Sequence, residues 1–85
     1  MKPITIYSTQ NCHFCQLAKE FFKANGLEYT EYNVGVDAAR RKEMMDLTGQ
    51  LGVPVIRVGD DITVGFSEPH MRQVLGMDSE MRMTV

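Results

Sequence analysis

The two cysteines of this chain, Cys12 and Cys15, constrain its fold and chemistry more than any other feature. Residues 4–7, just before them, mix apolar and β-branched side chains, which predicts a buried strand. Residues 16–24, just after them, carry apolar side chains at helical spacing. The thiols therefore lie at a strand-to-helix junction, and a C-x-x-C pair that opens a helix after a strand is typical of a redox dithiol.

The start of this helix predicts a different role for each thiol. With Asn11 as the N-cap, Cys12 is the first helical residue and Cys15 the fourth. The unpaired N–H groups of the first turn and the positive end of the helix dipole then favour the thiolate of Cys12, the form that attacks a disulfide. Cys15, one turn further on, displaces the substrate thiol and leaves an intramolecular disulfide.

Two residues lie between the cysteines, and each has two interpretations. A protonated His13 beside the sulfur would stabilise the thiolate further and make the pair more oxidising; alternatively, His13 is an exposed polar residue with little effect. Phe14 either joins the core, as Phe21 and Phe22 are expected to do, or stays partly exposed to contact a partner.

Composition and charge limit the classes of function that remain. A net charge of −2 over 85 residues argues against nucleic-acid binding, which usually needs a concentrated positive face. No apolar run approaches the ~18 residues of a membrane span, and residues 1–4 lead directly into a strand without a signal-peptide core. The sequence therefore predicts one cytoplasmic domain. A structural zinc ion would need two ligands besides the cysteines, and since His13 and His70 are the only candidates we expect no metal.

Hydrophobic periodicity and turn residues predict seven elements after this pattern. The first three form a strand–helix–strand unit, which implies parallel pairing, and the third and fourth strands form a hairpin. Asp37 and Ser67 are the expected N-caps of the second and third helices, and glycines follow the helix ends. The predicted strands are 3–7, 28–34, 52–58 and 62–66, and the predicted helices 12–24, 38–47 and 68–75. Residues 77–85 form an extension that either adds a helical turn or frays.

This order of elements, with C-x-x-C at the first strand-helix junction, resembles the thioredoxin-fold superfamily and, at this size, the glutaredoxin family. The resemblance rests on three motifs, which are residues 7–15, the Gly-Val-Pro of residues 52–54 and the Val-Gly-Phe-Ser of residues 64–67. It implies an α/β thioredoxin fold of glutaredoxin type, β-α-β-α-β-β-α, with a central four-stranded mixed sheet flanked by three helices. Residues 1–85 would form a single domain with its core at about 3–76.

The resemblance also assigns residues to a site. Cys12 would be the attacking thiol and Cys15 the resolving one, with Pro54 as a cis-proline opposite them. A cis peptide after Val53 would turn the backbone N–H and C=O of that residue toward a bound peptide strand. Phe14 and three residues that precede the last helix would complete the substrate-binding groove, namely Gly65, Phe66 and Ser67.

The implied activity is thiol-disulfide exchange on protein or mixed disulfides, by a monomer with no tightly bound cofactor. Glutathione is a candidate co-substrate, but the family's usual glutathione-binding residues differ here. Residues 8–11 are uncharged where a basic residue is usual, and Gly52 replaces a threonine. The basic run at residues 40–42 is either a solvated helix face or an attraction for this anionic peptide.

Three alternatives to a glutathione-dependent reductase remain open. The chain is also similar to the redoxins that serve ribonucleotide reductase, for which thioredoxin reductase would be the electron donor. An iron–sulfur carrier that binds its cluster with glutathione is a second alternative, and a non-catalytic docking domain is a third. The second cysteine, Cys15, argues against the last two, because neither needs it.

Overall fold

A four-stranded mixed sheet forms the centre of the protein in the computed structural model, which describes residues 3–76. The element order is β-α-β-α-β-β-α, so the predicted architecture is confirmed. The strands are β1 (Ile4–Ser8), β2 (Thr30–Asn33), β3 (Val55–Val58) and β4 (Asp61–Val64), and the helices are α1 (His13–Ala24), α2 (Ala38–Thr48) and α3 (Glu68–Val74). The predicted extension at residues 77–85 lies outside the described residues.

The strands lie in the order β2-β1-β3-β4. β1 pairs in parallel with β2 and antiparallel with β3, and β3 and β4 form the expected antiparallel hairpin. The second strand is shorter than predicted, since its pairing with β1 runs only from Thr30 to Asn33. Tyr29, just before it, packs its ring on Phe22 instead, with the ring centroids 5.3 Å apart.

Alternating residues of β1 point to opposite faces of the sheet, and each face has its own apolar cluster. The larger cluster places α1 and α3 on the face of Ile4 and Ile6, and the smaller one places α2 on the face of Tyr7. Phe21 and Phe22 belong to the larger cluster, as predicted. No helix among residues 3–76 has the length and apolar character needed to cross a lipid bilayer.

The helix termini follow local sequence signals in most cases. The Asp37 carboxylate accepts a hydrogen bond from the Arg40 N–H over 3.1 Å, and Gly49 adopts the left-handed conformation that ends α2, so both predicted caps are confirmed. Ser67 is the N-cap of α3, but its side chain makes no capping hydrogen bond.

The predicted start of α1 is wrong by one residue. The N-cap is Cys12 rather than Asn11, and the helix begins at His13. Cys12 has extended backbone angles, φ −92° and ψ 111°, and its sulfur accepts the hydrogen bond that a capping side chain usually accepts.

Candidate active site

Cys12 and Cys15 form a disulfide across the first turn of α1, with their Cα atoms 5.2 Å apart. The two residues differ in accessibility, because Cys12 is partly exposed and Cys15 is completely buried. The backbone N–H of Cys15 donates a hydrogen bond to the Cys12 Sγ over 3.1 Å. The positive end of the helix therefore faces the accessible sulfur, which would stabilise negative charge on that atom.

Three chain segments meet at the carboxyl end of β1, where the dithiol lies. The antiparallel pairing of Tyr7 with Val55 brings the start of β3 to this end of the sheet, so Pro54 lies beside the residues that lead into Cys12. The Gly65 N–H donates to the Pro54 carbonyl over 2.7 Å, which adds the segment after β4. The Val53–Pro54 peptide is cis, as the resemblance implies.

The other predicted site residues are divided between solvent and core. His13 and Ser67 are exposed, and Phe14 is 55% exposed, with its ring edge-on to His13 at a centroid distance of 5.5 Å. Phe66 is partly buried and packs against Phe21, with ring centroids 5.8 Å apart. Gly65 has a φ of +90°, which favours glycine at this turn.

Sequence reasoning missed several exposed apolar side chains at this end of the sheet. Val36 follows the end of β2, Leu51 precedes β3, and Val64 ends β4. Together with Phe14 they form what we call the apolar rim, whose four members are each more than half exposed. The sequence feature that could have predicted them is an apolar residue within an otherwise polar or glycine-containing loop, as at Val36 and Leu51.

The basic residues at positions 40–42 are all engaged within the protein. Arg40 pairs with Glu43 over 3.0 Å and lies over the Tyr32 ring, 3.9 Å from its centroid. Arg41 donates to the Val34 carbonyl over 3.0 Å. Lys42 pairs with Asp46 over 3.1 Å. These contacts fit the interpretation of a solvated helix face.

A polar cluster lies beneath α1 on the side nearer β2. The Glu31 carboxylate accepts hydrogen bonds from the Lys19 ammonium over 2.8 Å and from the buried Ser8 hydroxyl over 2.7 Å. The Lys19 hydrogen bond holds the pKa of Glu31 below its ordinary value, against the opposing effect of burial. Within residues 3–76, no group of three or more His, Cys, Asp or Glu side chains is placed to hold a metal ion.

On the opposite face of the sheet, the buried Tyr7 hydroxyl donates a hydrogen bond to Glu43. Burial, followed by this hydrogen bond, raises the pKa of Tyr7 to about 12. The phenol therefore remains neutral throughout the physiological pH range and links β1 to α2.

A strand-helix junction that presents a C-x-x-C disulfide at the end of a mixed four-stranded sheet, with a cis-proline alongside, defines a thiol-disulfide oxidoreductase of the thioredoxin fold. More narrowly, the chain belongs to the glutaredoxin family, whose model, described as Glutaredoxin, matches residues 4–63.

Relatives of known sequence or structure agree with this assignment. The chain is 38% identical over 72 residues to a glutaredoxin-like 8.6 kDa protein in the rubredoxin operon of Clostridium pasteurianum, covering 85% of this chain and 96% of that one. It is 32% identical over 81 residues to a glutaredoxin of Neisseria meningitidis, covering 92% and 94%. Among solved structures, it is similar to the glutaredoxin-like NrdH-redoxin of Escherichia coli, which has a thioredoxin-like activity profile. That match has a TM-score of 0.73 and 29% identity, and covers 86% of this chain and 93% of the other.

Proposed function

We propose that this protein reduces protein disulfides by two successive exchanges, with Cys12 as the nucleophile and Cys15 as the resolving thiol. The observation that carries the assignment is the difference in accessibility between a partly exposed Cys12 and a completely buried Cys15. A protein substrate can contact only the sulfur of Cys12. The sulfur of Cys15 is buried and has to attack only the neighbouring Cys12 sulfur.

The two steps balance within the dithiol and one substrate disulfide. The Cys12 thiolate attacks one substrate sulfur, the substrate S–S bond breaks, and the departing sulfur takes up a proton. Cys15 then loses its proton and attacks the Cys12 sulfur, which releases the second substrate thiol and forms the Cys12–Cys15 disulfide. The substrate gains two electrons and the protein loses two, which an external donor must return.

The apolar rim favours protein segments over small polar disulfides as substrates. Exposed apolar side chains grouped around one site are typical of surfaces that bind other proteins. In our proposal Phe14 contacts the bound segment, and the backbone of Val53 pairs with it beside Pro54. Support for this groove comes from the hydrogen bond between Gly65 and Pro54, which holds its two walls together. Phe66 and Ser67 would extend the wall that begins at Gly65.

The electron donor in this proposal is thioredoxin reductase or glutathione, with the former favoured. Arg40, Arg41 and Lys42 already have partners, so a glutathione carboxylate would have to compete for each of them. Exposed ion pairs of this kind contribute only about 0–1 kcal/mol. The thioredoxin-like activity profile of the related NrdH-redoxin supports the same preference. We place the reaction in the cytoplasm, where such donors operate, and expect a monomer.

A second candidate function is the reduction of ribonucleotide reductase. It rests on the Gly-Phe pair at residues 65–66, where Gly65 turns the chain and Phe66 packs on α1.

In both functions His13, which is exposed beside Cys12, would tune the thiolate. Replacing His13 with proline should then change the reduction potential of the dithiol.

A coupled assay tests the proposal and ranks the donors. Insulin and hydroxyethyl disulfide serve as substrates, with NADPH and either thioredoxin reductase or glutathione plus glutathione reductase. We expect insulin reduction that requires Cys12 and is faster with thioredoxin reductase. Rapid, saturable turnover with glutathione plus glutathione reductase, and none with thioredoxin reductase, would overturn the donor preference. Failure of the chemically reduced protein to reduce either disulfide would overturn the proposed function.

A further inference from the structure

We propose that the surface between α1 and α3 is a second contact site for protein substrates. It would take a large apolar side chain with a neighbouring Lys or Arg, three or four residues from the reacting cysteine. This inference rests on the proposed function, because it names a class of substrate for the same dithiol.

A stripe of apolar side chains runs along α1 away from the dithiol. Phe14, Leu17, Phe21 and Ala24 are spaced by three or four residues, so they share one flank of the helix. The opposite flank carries Lys19, which reaches β2 through its ion pair with Glu31. The stripe therefore lies on the flank nearer α3, where Phe21 contacts Phe66.

A cavity of about 380 Å³ opens between this stripe and the start of α3. The rings of Phe21 and Phe66, tilted at 54° to each other, supply its aromatic surface. Its volume lies near the lower end of the range for ligand sites, which leaves room for a large side chain and part of its neighbour. The lining residues are Leu17, Glu20, Phe21, Ala24, Asn25, Phe66, Glu68 and Arg72.

This cavity lies next to the groove proposed at the dithiol. Phe66 follows Gly65, whose N–H is bonded to the Pro54 carbonyl. Leu17 and Glu20 lie five and eight residues beyond Cys12, which corresponds to about 8–12 Å along a helix. An extended chain covers that distance in three or four residues, at about 3.3 Å each. A substrate held at Cys12 would therefore present its third or fourth neighbouring side chain to the cavity.

The charges on the cavity rim favour a cation. Glu68 pairs with Arg72 over 3.0 Å, so these two residues together add no net charge. The Arg72 guanidinium also lies 5.3 Å from the centroid of the Phe21 ring. Glu20 is exposed and has no ion-pair partner within residues 3–76. Its carboxylate leaves one negative charge beside an apolar surface. A second copy of this chain would bring the same charge, whereas a Lys or Arg of a substrate would neutralise it.

Two chromogenic peptides test this preference. In each, one cysteine is disulfide-bonded to a small reporter thiol, and the third and fourth residues on both sides are either Leu and Lys or Ser and Glu. The rate of reporter release by reduced protein is divided by the rate with hydroxyethyl disulfide for the same variant. We expect this ratio to be about fivefold higher for the Leu-Lys peptide, because an exposed ion pair changes a binding equilibrium by at most about that factor.

Matched variants separate the two parts of the contact. Glu20→Lys and Leu17→Asn should each lower the preference for the Leu-Lys peptide over the Ser-Glu peptide, the first by removing the charge contact and the second by removing the apolar contact. The controls are Glu28→Lys, an exposed glutamate in the loop after α1, and Met45→Asn on α2, because Met45 is 38% exposed and Leu17 36%. Both controls should retain the wild-type ratios.

Three outcomes distinguish a failure of the second contact site from a failure of the proposed function. Equal ratios for the two peptides, with normal reduction of hydroxyethyl disulfide, would overturn the second contact site alone. No reduction of hydroxyethyl disulfide by wild-type protein would overturn the proposed function. A change in sedimentation on Leu17→Asn, without a change in peptide ratios, would show that the surface joins two copies of the chain and would also overturn the site.

Discussion

The backbone N–H of Cys15 lies 3.1 Å from the Sγ of Cys12 and donates a hydrogen bond to it. The N-cap of α1 is therefore itself the accessible sulfur of the dithiol. A charged sulfur at this position gains more from the N–H group and the helix dipole than a neutral one. The same geometry leaves Cys15 inside the first turn, without access to solvent.

We predict that the two cysteines are not interchangeable. Cys12→Ser should abolish disulfide reduction, whereas Cys15→Ser should accumulate mixed disulfides with the substrate that mass spectrometry detects. In the reduced wild-type protein, alkylation near pH 6 should label Cys12 about tenfold faster or more, since thiolate fractions differ tenfold per pKa unit. Faster labelling of Cys15 would reverse the assignment.

We predict that the two N-caps contribute unequally to stability. Asp37→Ala should lower the free energy of unfolding by about 1 kcal/mol, because the Asp37 carboxylate accepts the Arg40 N–H. Ser67→Ala should change it by only a few tenths of that amount, because the Ser67 side chain makes no capping bond. Urea unfolding of both variants measures the difference. Equal losses in the two variants would contradict the capping geometry.

We predict that Glu31 contributes to stability in a pH-dependent way. Its pKa is lowered in the folded protein, chiefly by the hydrogen bond from Lys19. The contribution is therefore present at neutral pH and is lost as the pH falls below the ordinary value of 4.5 and through the lowered one. Glu31→Gln should be less stable than wild type near pH 7, and the difference should shrink toward pH 3. Glu28→Gln is the control, and a difference that persists in acid would rule out this origin.

We predict that one tyrosine titrates unusually late. The pKa of Tyr7 is raised to about 12 by burial and by the hydrogen bond to Glu43. The stabilisation is complete below the ordinary value of 10.0 and is lost as the pH rises through about 12. The phenolate absorbance of wild type minus that of Tyr7→Phe should show a single step near 12. A step near 10 would show that the hydroxyl is not protected.

Features that depend on near neighbours in the chain could be predicted from the sequence. The dithiol at a strand-helix junction, the Asp37 and Gly49 caps of α2 and the β3–β4 hairpin were all predicted, because each depends on residues within a turn or two. The start of α1 was not, because Asn11 is as good a capping residue as the sequence offers. In the structure Cys12 is the N-cap instead, because its backbone is extended and its sulfur accepts a hydrogen bond from the Cys15 N–H.

The tertiary structure decided what depends on residues far apart in the chain. The apolar rim joins Phe14, Val36, Leu51 and Val64, which only the strand order β2-β1-β3-β4 brings to one end of the sheet. In the same way, Glu31 acquires its lowered pKa from Lys19 of α1 and Ser8 of β1. The sequence by itself thus determined the chemistry of the dithiol, because a helix terminus and two thiols three residues apart suffice for it. The apolar rim, the surface proposed to contact a substrate, required folding, because separate elements contribute each of its side chains.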